Sequence, residues 1–427
     1  MNDSNSKSEK QLLADVIFKR METLHLQGDY QKSLDICLQL MQSHPYMVNV
    51  WSSAAANCIM LSRWQDAIDY AQTALARGRN TLPVYDALAS AYGELGQWDE
   101  AGRYGLQALK MRDRRFGGEP VIPLPDLPPM PPPPSAQTRE HNIIAFSLFG
   151  NNSKYCESAV LNVQEQPHVY PHWVCRFYVD DSVPSHVISR IRAGGGQVVR
   201  VDGPAVRWPG PMWRFLAWDD PHAHRILFRD ADSVISLREA HAVNQWQTSD
   251  KRFHMMRDWG SYTELILAGL WGMVAGSLPP LQQLMDRFMS KPLESNHFAD
   301  QYFLRQYVWP YARTSLMQHD SVFGFMDAVP FPDQGPPGCV GSSEGNGFFT
   351  LKTNLPNNRT FDVRWTLYLI EKHDDGQTRE TLVCSYPGVV KDGIVKAHIP
   401  SHYAQRMKDG TARIGLFIPP GTAGNRI

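Results

Sequence analysis

A fixed step of 34 residues constrains the N-terminal part of this chain more than any other feature. Gly28, Ser62 and Gly96 are 34 residues apart, and so are Tyr30, Trp64 and Trp98. Ser33, Ala67 and Ala101 keep the same step, as do Leu40, Ala74 and Ala108. Trp51 and Tyr85 mark the matching early position of the second and third repeats, where the first has Ile17, and Pro45 and Pro83 fall near repeat boundaries. Such a period belongs to a helix-turn-helix unit that cannot bury its apolar face alone and must stack on its neighbours. The small residues let the paired helices approach closely, and the Gly or Ser falls at the turn between them. Three units are about the minimum for a stable stack. Residues 8–115 are therefore predicted to form an all-α repeat domain.

The period and the shared register resemble the tetratricopeptide repeat. That resemblance implies a concave face that binds a protein or peptide. A packing or dimerisation module, giving a homodimer, has the same pattern. A proline-rich stretch follows, with Pro128-Pro129-Met130-Pro131-Pro132-Pro133-Pro134 at its centre. Proline removes a backbone donor and blocks helix and central strand. Residues 116–138 are expected to be a stiff polyproline-type spacer.

A chain of 427 residues has room for two or three domains. A hydrophobic share of 43% and a charged share of 20% suit a globular protein. The net charge of −1 excludes a globally basic surface for nucleic acid. Met1 to Gln11 is polar and does not read as a secretory signal. The longest apolar run, Leu265 to Gly276, is too short to span a bilayer. The six cysteines are scattered, with no Cys-x-x-Cys, which suits reduced thiols in a cytoplasmic protein.

From Asn142 onward, strand and helix patterns alternate. Strands are expected at Ile143 to Phe149, Trp173 to Val179, Gln197 to Val201, up to Asp230, and at Phe253 to Arg257. Helices are expected between them, at Ser153 to Gln166, Ser185 to Ala193, Pro211 to Trp218 and Arg238 to Thr248, and later at Pro279 to Met289 and Ala299 to Tyr307. This predicts a mostly parallel sheet with helices on both faces over residues 139–331. Ligands of such sheets bind at the carboxyl ends of the strands, where Asp180, Asp181, Asp230 and Asp232 would lie. From about Gly341 the pattern alternates with period two, predicting a small β-sandwich over residues 340–427 that covers an edge or mediates association.

The chemistry concentrates in Arg225-Ile226-Leu227-Phe228-Arg229-Asp230-Ala231-Asp232-Ser233. Aspartates spaced i, i+2 after a strand turn two hard oxygen donors to one side, which can hold Mg²⁺ or Mn²⁺ and leave positions open for phosphate oxygens. The same spacing also occurs in plain turns and helix caps. The order of features after it adds weight: Ala268-Gly269-Leu270-Trp271-Gly272, then Asp300-Gln301, then His319. This order resembles glycosyltransferases of the GT-A fold and is similar to retaining enzymes of the glycogenin and galactosyltransferase type. More closely, Phe228 to Ser233, His254 to Asp258 and Gly269 to Gly272 resemble a group of little-characterised bacterial transferases.

The resemblance implies an α/β nucleotide-diphospho-sugar transferase domain needing a divalent metal, with Asp230 and Asp232 on metal and diphosphate. His319 matches the late third metal ligand, although the Gly-x-x-Lys-Pro-Trp tail that often follows is absent. Arg214, Arg229 or Arg257 would then supply the missing positive charge. Asp300 and Gln301 match the pair facing the sugar on the reacting side. Asp180 and Asp181 suit a ribose contact. Arg257, Gly269 and Trp271 fall on the acceptor and sugar side, with Trp271 either a stacking platform or core. Asp258 is an acceptor contact or, with Glu264, a candidate base for an inverting reaction.

The expected function is a hexosyltransferase-like enzyme that moves a sugar from a nucleotide diphosphate sugar to a protein, peptide or glycan acceptor. The motif order favours retention, and the repeats suit holding the acceptor. Two readings compete. One is a non-catalytic repeat scaffold carrying a degenerate transferase domain. The other is a nucleotidyltransferase, which needs a glycine-rich basic loop after the first strand; Gly150-Asn151-Asn152-Ser153-Lys154 has one glycine and one lysine.

Overall fold

The computed structural model describes residues 15–124, 126–293, 295–296, 298–372 and 377–418. Residues 8–14 of the expected repeat domain and 419–427 of the expected terminal domain lie outside the described residues. Backbone contacts divide the chain into two compact units. One comprises Met1–Pro123, His241–Leu267 and Gln301–Val340; the other comprises Leu124–Ala240, Ala268–Asp300 and Gly341–Ile427.

The first unit opens with paired helices. Residues 15–26 are helical and precede Tyr30–Ser43; Val48–Met60 precedes Trp64–Ala76; Leu82–Glu94 precedes Trp98–Phe116. The second helix of each pair thus begins at Tyr30, Trp64 and Trp98. The turn residues Gly28, Ser62 and Gly96 have φ of 82°, 56° and 69°. This left-handed backbone ends one helix and releases the next. Glycine adopts it freely, whereas at Ser62 it costs on the order of 1 kcal/mol. Ser33, Ala67 and Ala101 are fully buried where the helices meet. The same unit holds a parallel strand pair, β5 (Phe253–Arg257) with β7 (Leu316–Asp320).

The second unit contains β1 (Asn142–Leu148), β2 (Val174–Val179), β3 (Gln197–Arg200), β4 (Arg225–Arg229) and β6 (Trp271–Val274). They run in the order β3-β2-β1-β4-β6. The first four are parallel, and β6 is antiparallel to β4. Every residue of β1 and β4 is buried, as expected for central strands covered on both faces. The mixed sheet and its intervening helices match the alternation in the sequence.

The terminal segment forms β8 (Phe348–Lys352), β9 (Phe361–Lys372), β10 (Thr378–Lys391), β11 (Ile394–His398) and β12 (Ala412–Phe417). The alternation there suggested a two-layer sandwich. The described residues instead pair as one antiparallel sheet in the order β12-β9-β10-β11-β8, its ladder continuous from edge to edge. The proline-rich segment is anchored: Arg225, at the start of β4, donates to the carbonyls of Pro132 at 2.6 Å and Pro131 at 2.9 Å. Proline cannot donate, but its carbonyl still accepts.

Candidate functional site

The carboxyl end of β4 leads into a turn in which Ser233 N donates to Asp230 O at 3.1 Å. Buried Asn162 fixes the exit of this turn, donating to Ser233 O at 2.8 Å and accepting from Ile235 N at 3.0 Å. Asp230 and Asp232 are therefore held by a closed backbone hydrogen-bond pattern, while their side chains face two cations.

Arg214 is the first. It lies in the 3₁₀ segment Gly210–Asp219, which is tied to β1 because Ser147 Oγ accepts from Arg214 N at 2.8 Å and donates to Pro211 O at 3.1 Å. Its guanidinium donates to Asp230 Oδ1 at 2.5 Å, Asp300 Oδ2 at 2.6 Å and Arg229 O at 2.9 Å. Burial alone disfavours this charge, but Asp230 and Asp300 outweigh it and hold the Arg214 pKa above its ordinary value. One planar fork thus joins the carboxylate after β4 to the one that opens the helix Ala299–Phe303.

Lys154 is the second cation. It follows the cap residue Asn152 on the helix Ser153–Val169, and its ammonium pairs with Asp232 Oδ2 at 3.1 Å. Ser343 Oγ donates to the same oxygen at 2.6 Å, and Glu344 N donates to Asp232 O at 2.8 Å. Among the described residues, Asp230 Oδ2 and Asp232 Oδ1 accept no hydrogen bond. Gly269 lies against the first of these. A Cβ there would fall 2.6 Å from the Asp230 carboxyl carbon and closer still to Oδ2. Gly269 is thus the only residue type that leaves this carboxylate its position.

These features fit a divalent cation as a two-carboxylate site. Among the described residues each aspartate keeps one oxygen without a partner, and both are hard donors of the kind that Mg²⁺ or Mn²⁺ takes, with water or phosphate oxygens filling the remaining positions. No group of three or more His, Cys, Asp and Glu side chains suited to a metal occurs among the described residues.

The other sequence candidates have different surroundings. His319 on β7 has both ring nitrogens engaged: Nδ1 with His254 Nε2 at 2.8 Å and Nε2 with Gln245 Oε1 at 2.9 Å. Burial pushes its pKa down to about 4, so it is neutral, and neither nitrogen is free to ligate a metal. Arg229 points into the core, where it pairs with Glu239 at 3.1 Å. Burial opposes its charge, and Glu239 more than restores it. Arg257 is buried and donates to the carbonyls of Glu264 and Leu265 and to Gln318 Oε1; burial lowers its pKa to about 10. Asp258 accepts from Ser321 Oγ at 2.6 Å, Gly338 N at 3.0 Å and Val340 N at 3.2 Å, which pins that loop.

Trp271 is fully buried and stacks on Phe228 with centroids 4.2 Å apart, so its faces are core surface. Asp180 accepts from Ser182 N at 3.0 Å, and exposed Asp181 pairs with Arg200. Both line an open cavity of about 550 Å³ beyond β2, together with Arg192 and Arg200. Gln301 follows Asp300 in the helix Ala299–Phe303.

The second unit therefore brings together Arg214, Asp230, Asp232, Gly269 and Asp300 from the expected set, and adds two residues that it lacked. Lys154 had a signal: it lies in the opening turn of the first helix after the first strand, directly behind the Gly150-Asn151-Asn152 turn. Ser343 had none, because it arrives from a segment more than a hundred residues away in sequence.

No family model matches the chain, and no curated relative matches it. Among solved structures, an O-GlcNAc transferase variant from Thermobaculum terrenum aligns with 16% identity and a TM-score of 0.28, over 51% of this chain and 50% of that one. The chain thus spans about half the length of that neighbour. A mannosyltransferase from Pyrobaculum calidifontis, solved with GDP-Man and Mn²⁺, aligns with 13% identity and a TM-score of 0.31, over 56% of this chain and 67% of that one. A 4-diphosphocytidyl-2C-methyl-D-erythritol synthase from Anaerococcus prevotii aligns with 8% identity and a TM-score of 0.28, over 43% of this chain and 88% of that one. Similarity at this level does not carry an activity across. Among the described residues, no helix is long and apolar enough to cross a membrane.

Proposed function

We propose that this chain is a metal-dependent glycosyltransferase of GT-A type, using a nucleotide diphosphate sugar as donor and a protein, peptide or glycan as acceptor. One observation carries the proposal. The central strand β4 ends in two carboxylates, each with one oxygen against a cation and the other without a partner among the described residues. Asp230 and Asp232 would hold Mg²⁺ or Mn²⁺, which neutralises charge on a departing diphosphate when bound. Arg214 fixes Asp230 and offsets its charge at the buried end of the site. Lys154 brings a second positive charge to its rim.

Retention of configuration is part of the proposal. The carboxylates considered as bases for inversion have other partners: Asp258 accepts three hydrogen bonds, and Glu264 pairs with Arg112 at 3.4 Å and Arg305 at 3.6 Å. In a retaining reaction the departing phosphate accepts the proton of the acceptor hydroxyl as the new glycosidic bond forms. Asp300, held by Arg214, would face the sugar. The paired helices are proposed as tetratricopeptide repeats that hold the acceptor.

The test is a panel of nucleotide sugars with the purified protein and Mn²⁺ or Mg²⁺, scoring release of nucleotide diphosphate. The expected result is metal-dependent release from one donor, lost in Asp230→Ala. Absence of both release and donor binding across the panel would overturn the proposal in favour of a non-catalytic scaffold.

A further inference from the structure

Arg214 and Lys154 neutralise the two aspartates in different ways. Arg214 is 3% exposed and is held by three acceptors, so it cannot leave Asp230 without also disturbing Asp300 and the Arg229 carbonyl. Lys154 is 22% exposed, and its ammonium has one acceptor among the described residues, Asp232. The ammonium also lies 5.2 Å from the centroid of the Tyr155 ring, and the stem passes close to Gly345, where a Cβ would overlap it. The backbone of Lys154 is fixed by the cap, its N–H donating to Asn152 Oδ1 at 2.9 Å. An anchored Cα carries a flexible four-carbon stem ending in a compact charge.

Asp232 does not depend on that lysine for its position. Ser343 Oγ donates to the same carboxylate oxygen at 2.6 Å, and Glu344 N holds the Asp232 carbonyl at 2.8 Å. The ammonium can therefore move away while the carboxylate stays. A divalent cation on Asp230 and Asp232 would give it reason to move, because the two positive charges would share one carboxylate and repel. A diphosphate beside that cation offers an ammonium strong acceptors.

We propose that Lys154 is an exchangeable counter-ion, paired with Asp232 in the ligand-free protein and transferred to a phosphate oxygen when metal and nucleotide diphosphate bind together. This rests on the reading of Asp230 and Asp232 as the metal and diphosphate site. The exchange gives the site a built-in order. Lys154 opposes a divalent cation arriving alone and favours the cation arriving with a diphosphate. Its removal must therefore act in opposite directions on the two binding events, which a merely structural role would not do.

The experiment uses the full chain with Lys154→Gln and Lys154→Arg, checked for unchanged thermal melting. Mn²⁺ alone is titrated by the loss of its free paramagnetic signal. Inorganic pyrophosphate with saturating Mg²⁺ is titrated by calorimetry. Lys154→Gln is expected to bind Mn²⁺ about fivefold more tightly, the worth of a partly exposed ion pair. The same variant is expected to bind pyrophosphate about tenfold more weakly, as a charge-assisted hydrogen bond is lost. Lys154→Arg should stay within about threefold of the parent protein for pyrophosphate, because it keeps the charge. Unchanged or weaker Mn²⁺ binding in Lys154→Gln overturns the exchange, and so does unchanged pyrophosphate binding. If the parent protein binds no Mn²⁺, the metal site itself falls and the exchange falls with it. If the parent binds Mn²⁺ and Lys154→Gln matches it, only the exchange falls.

Discussion

Gly269→Ala is the substitution that tests the site most directly. Gly269 does not have a left-handed backbone, so alanine meets no conformational penalty there. The main effect comes from the Asp230 carboxylate, whose carboxyl carbon would be 2.6 Å from the new methyl group, with a smaller push on the Asp230 backbone nitrogen at 3.1 Å. Ordinary contact needs about 3.5 Å, so the carboxylate must shift by roughly 1 Å or rotate away. Either movement breaks the 2.5 Å bond from Arg214. Removing one partner of a fully buried pair costs about 3–5 kcal/mol. Here the Asp230 side chain is 47% exposed and Arg214 keeps Asp300, so a stability loss of about 1–2 kcal/mol is expected.

The effect on the proposed transferase activity should be larger, because a shift of about 1 Å in a positioned group can lower a rate on the order of a hundredfold. The assay pairs urea unfolding with metal-dependent release of nucleotide diphosphate. A double-mutant cycle with Asp230→Ala isolates the cause. Without the carboxylate the methyl group meets only the Asp230 backbone nitrogen at 3.1 Å, so Gly269→Ala should then cost less than it does in the parent protein. An equal cost in both backgrounds would refute the steric argument. Full activity and unchanged metal affinity in the single variant would refute the claim that the position of Asp230 matters.

Other expectations follow from the same structure. His319 is held neutral by burial, with a pKa near 4 against an ordinary 6.5, so stability associated with it is complete above 6.5 and is lost as pH falls toward 4. His319→Gln should flatten the urea-stability slope over that window, by up to about 3 kcal/mol; an unchanged slope would contradict the buried neutral ring. Asp86→Ala removes two 2.8 Å bonds to the buried Arg112 and the acceptor of Thr263, and should cost about 2 kcal/mol by urea unfolding. Ser343→Ala removes the 2.6 Å hydrogen bond to Asp232, and should lower Mn²⁺ affinity about fivefold with a stability loss near 1 kcal/mol. Unchanged Mn²⁺ affinity in that variant would show that Asp232 is positioned without it.

The sequence was most readable where one local rule controlled the outcome. The 34-residue step marks backbone turns, and Gly28, Ser62 and Gly96 all have positive φ. The strands β1 and β4 are continuous apolar runs between turn signals, and the aspartates after β4 stand where a parallel sheet presents its ligands. It was least readable where a charged side chain had to choose a direction. Arg229 is adjacent to Asp230, yet strand alternation sends it into the core to Glu239, while Arg214, sixteen residues earlier, reaches the carboxylate. Trp271 has the chemistry of a sugar platform, but a β6 residue buried against Phe228 and Phe215 has no free face. Ser343 could not be found at all, because the hydroxyl reaches Asp232 through a tertiary contact with no local pattern.

The repeat carried one further message in its irregularities. The third helix pair has Gly93, Gly102 and Gly105 where the second has Ile59, Ile68 and Ala71, and the first has His25, Leu34 and Cys37. Propensity argues against Gly102 and Gly105 inside the helix Trp98–Phe116, at up to about 1 kcal/mol each relative to alanine, and less strongly against Gly93 in the last turn of Leu82–Glu94. Within the first unit, each glycine is a place where other parts of the chain approach too closely for a Cβ. A methyl group on Gly93 would fall 2.8 Å from the Gly260 Cα, one on Gly102 would fall 2.5 Å from the Val322 carbonyl oxygen, and one on Gly105 would overlap the Phe323 ring. Trp259 adds a hydrogen bond to Glu94 at 2.8 Å and an edge contact with Trp98 at 5.0 Å. The helix pair that departs from its repeat is thus the one that packs on residues 259–264 and on Val322 and Phe323. A periodic sequence states what each unit shares, and the positions where it breaks period at a cost in propensity state what one unit does alone. Here the break marks the third pair as a fixed support for the segment from Trp259 to Glu264, while the cavity of about 550 Å³ lined by Met21, His25, Asn49, Asn57 and Pro83 opens between the first two pairs and the start of the third.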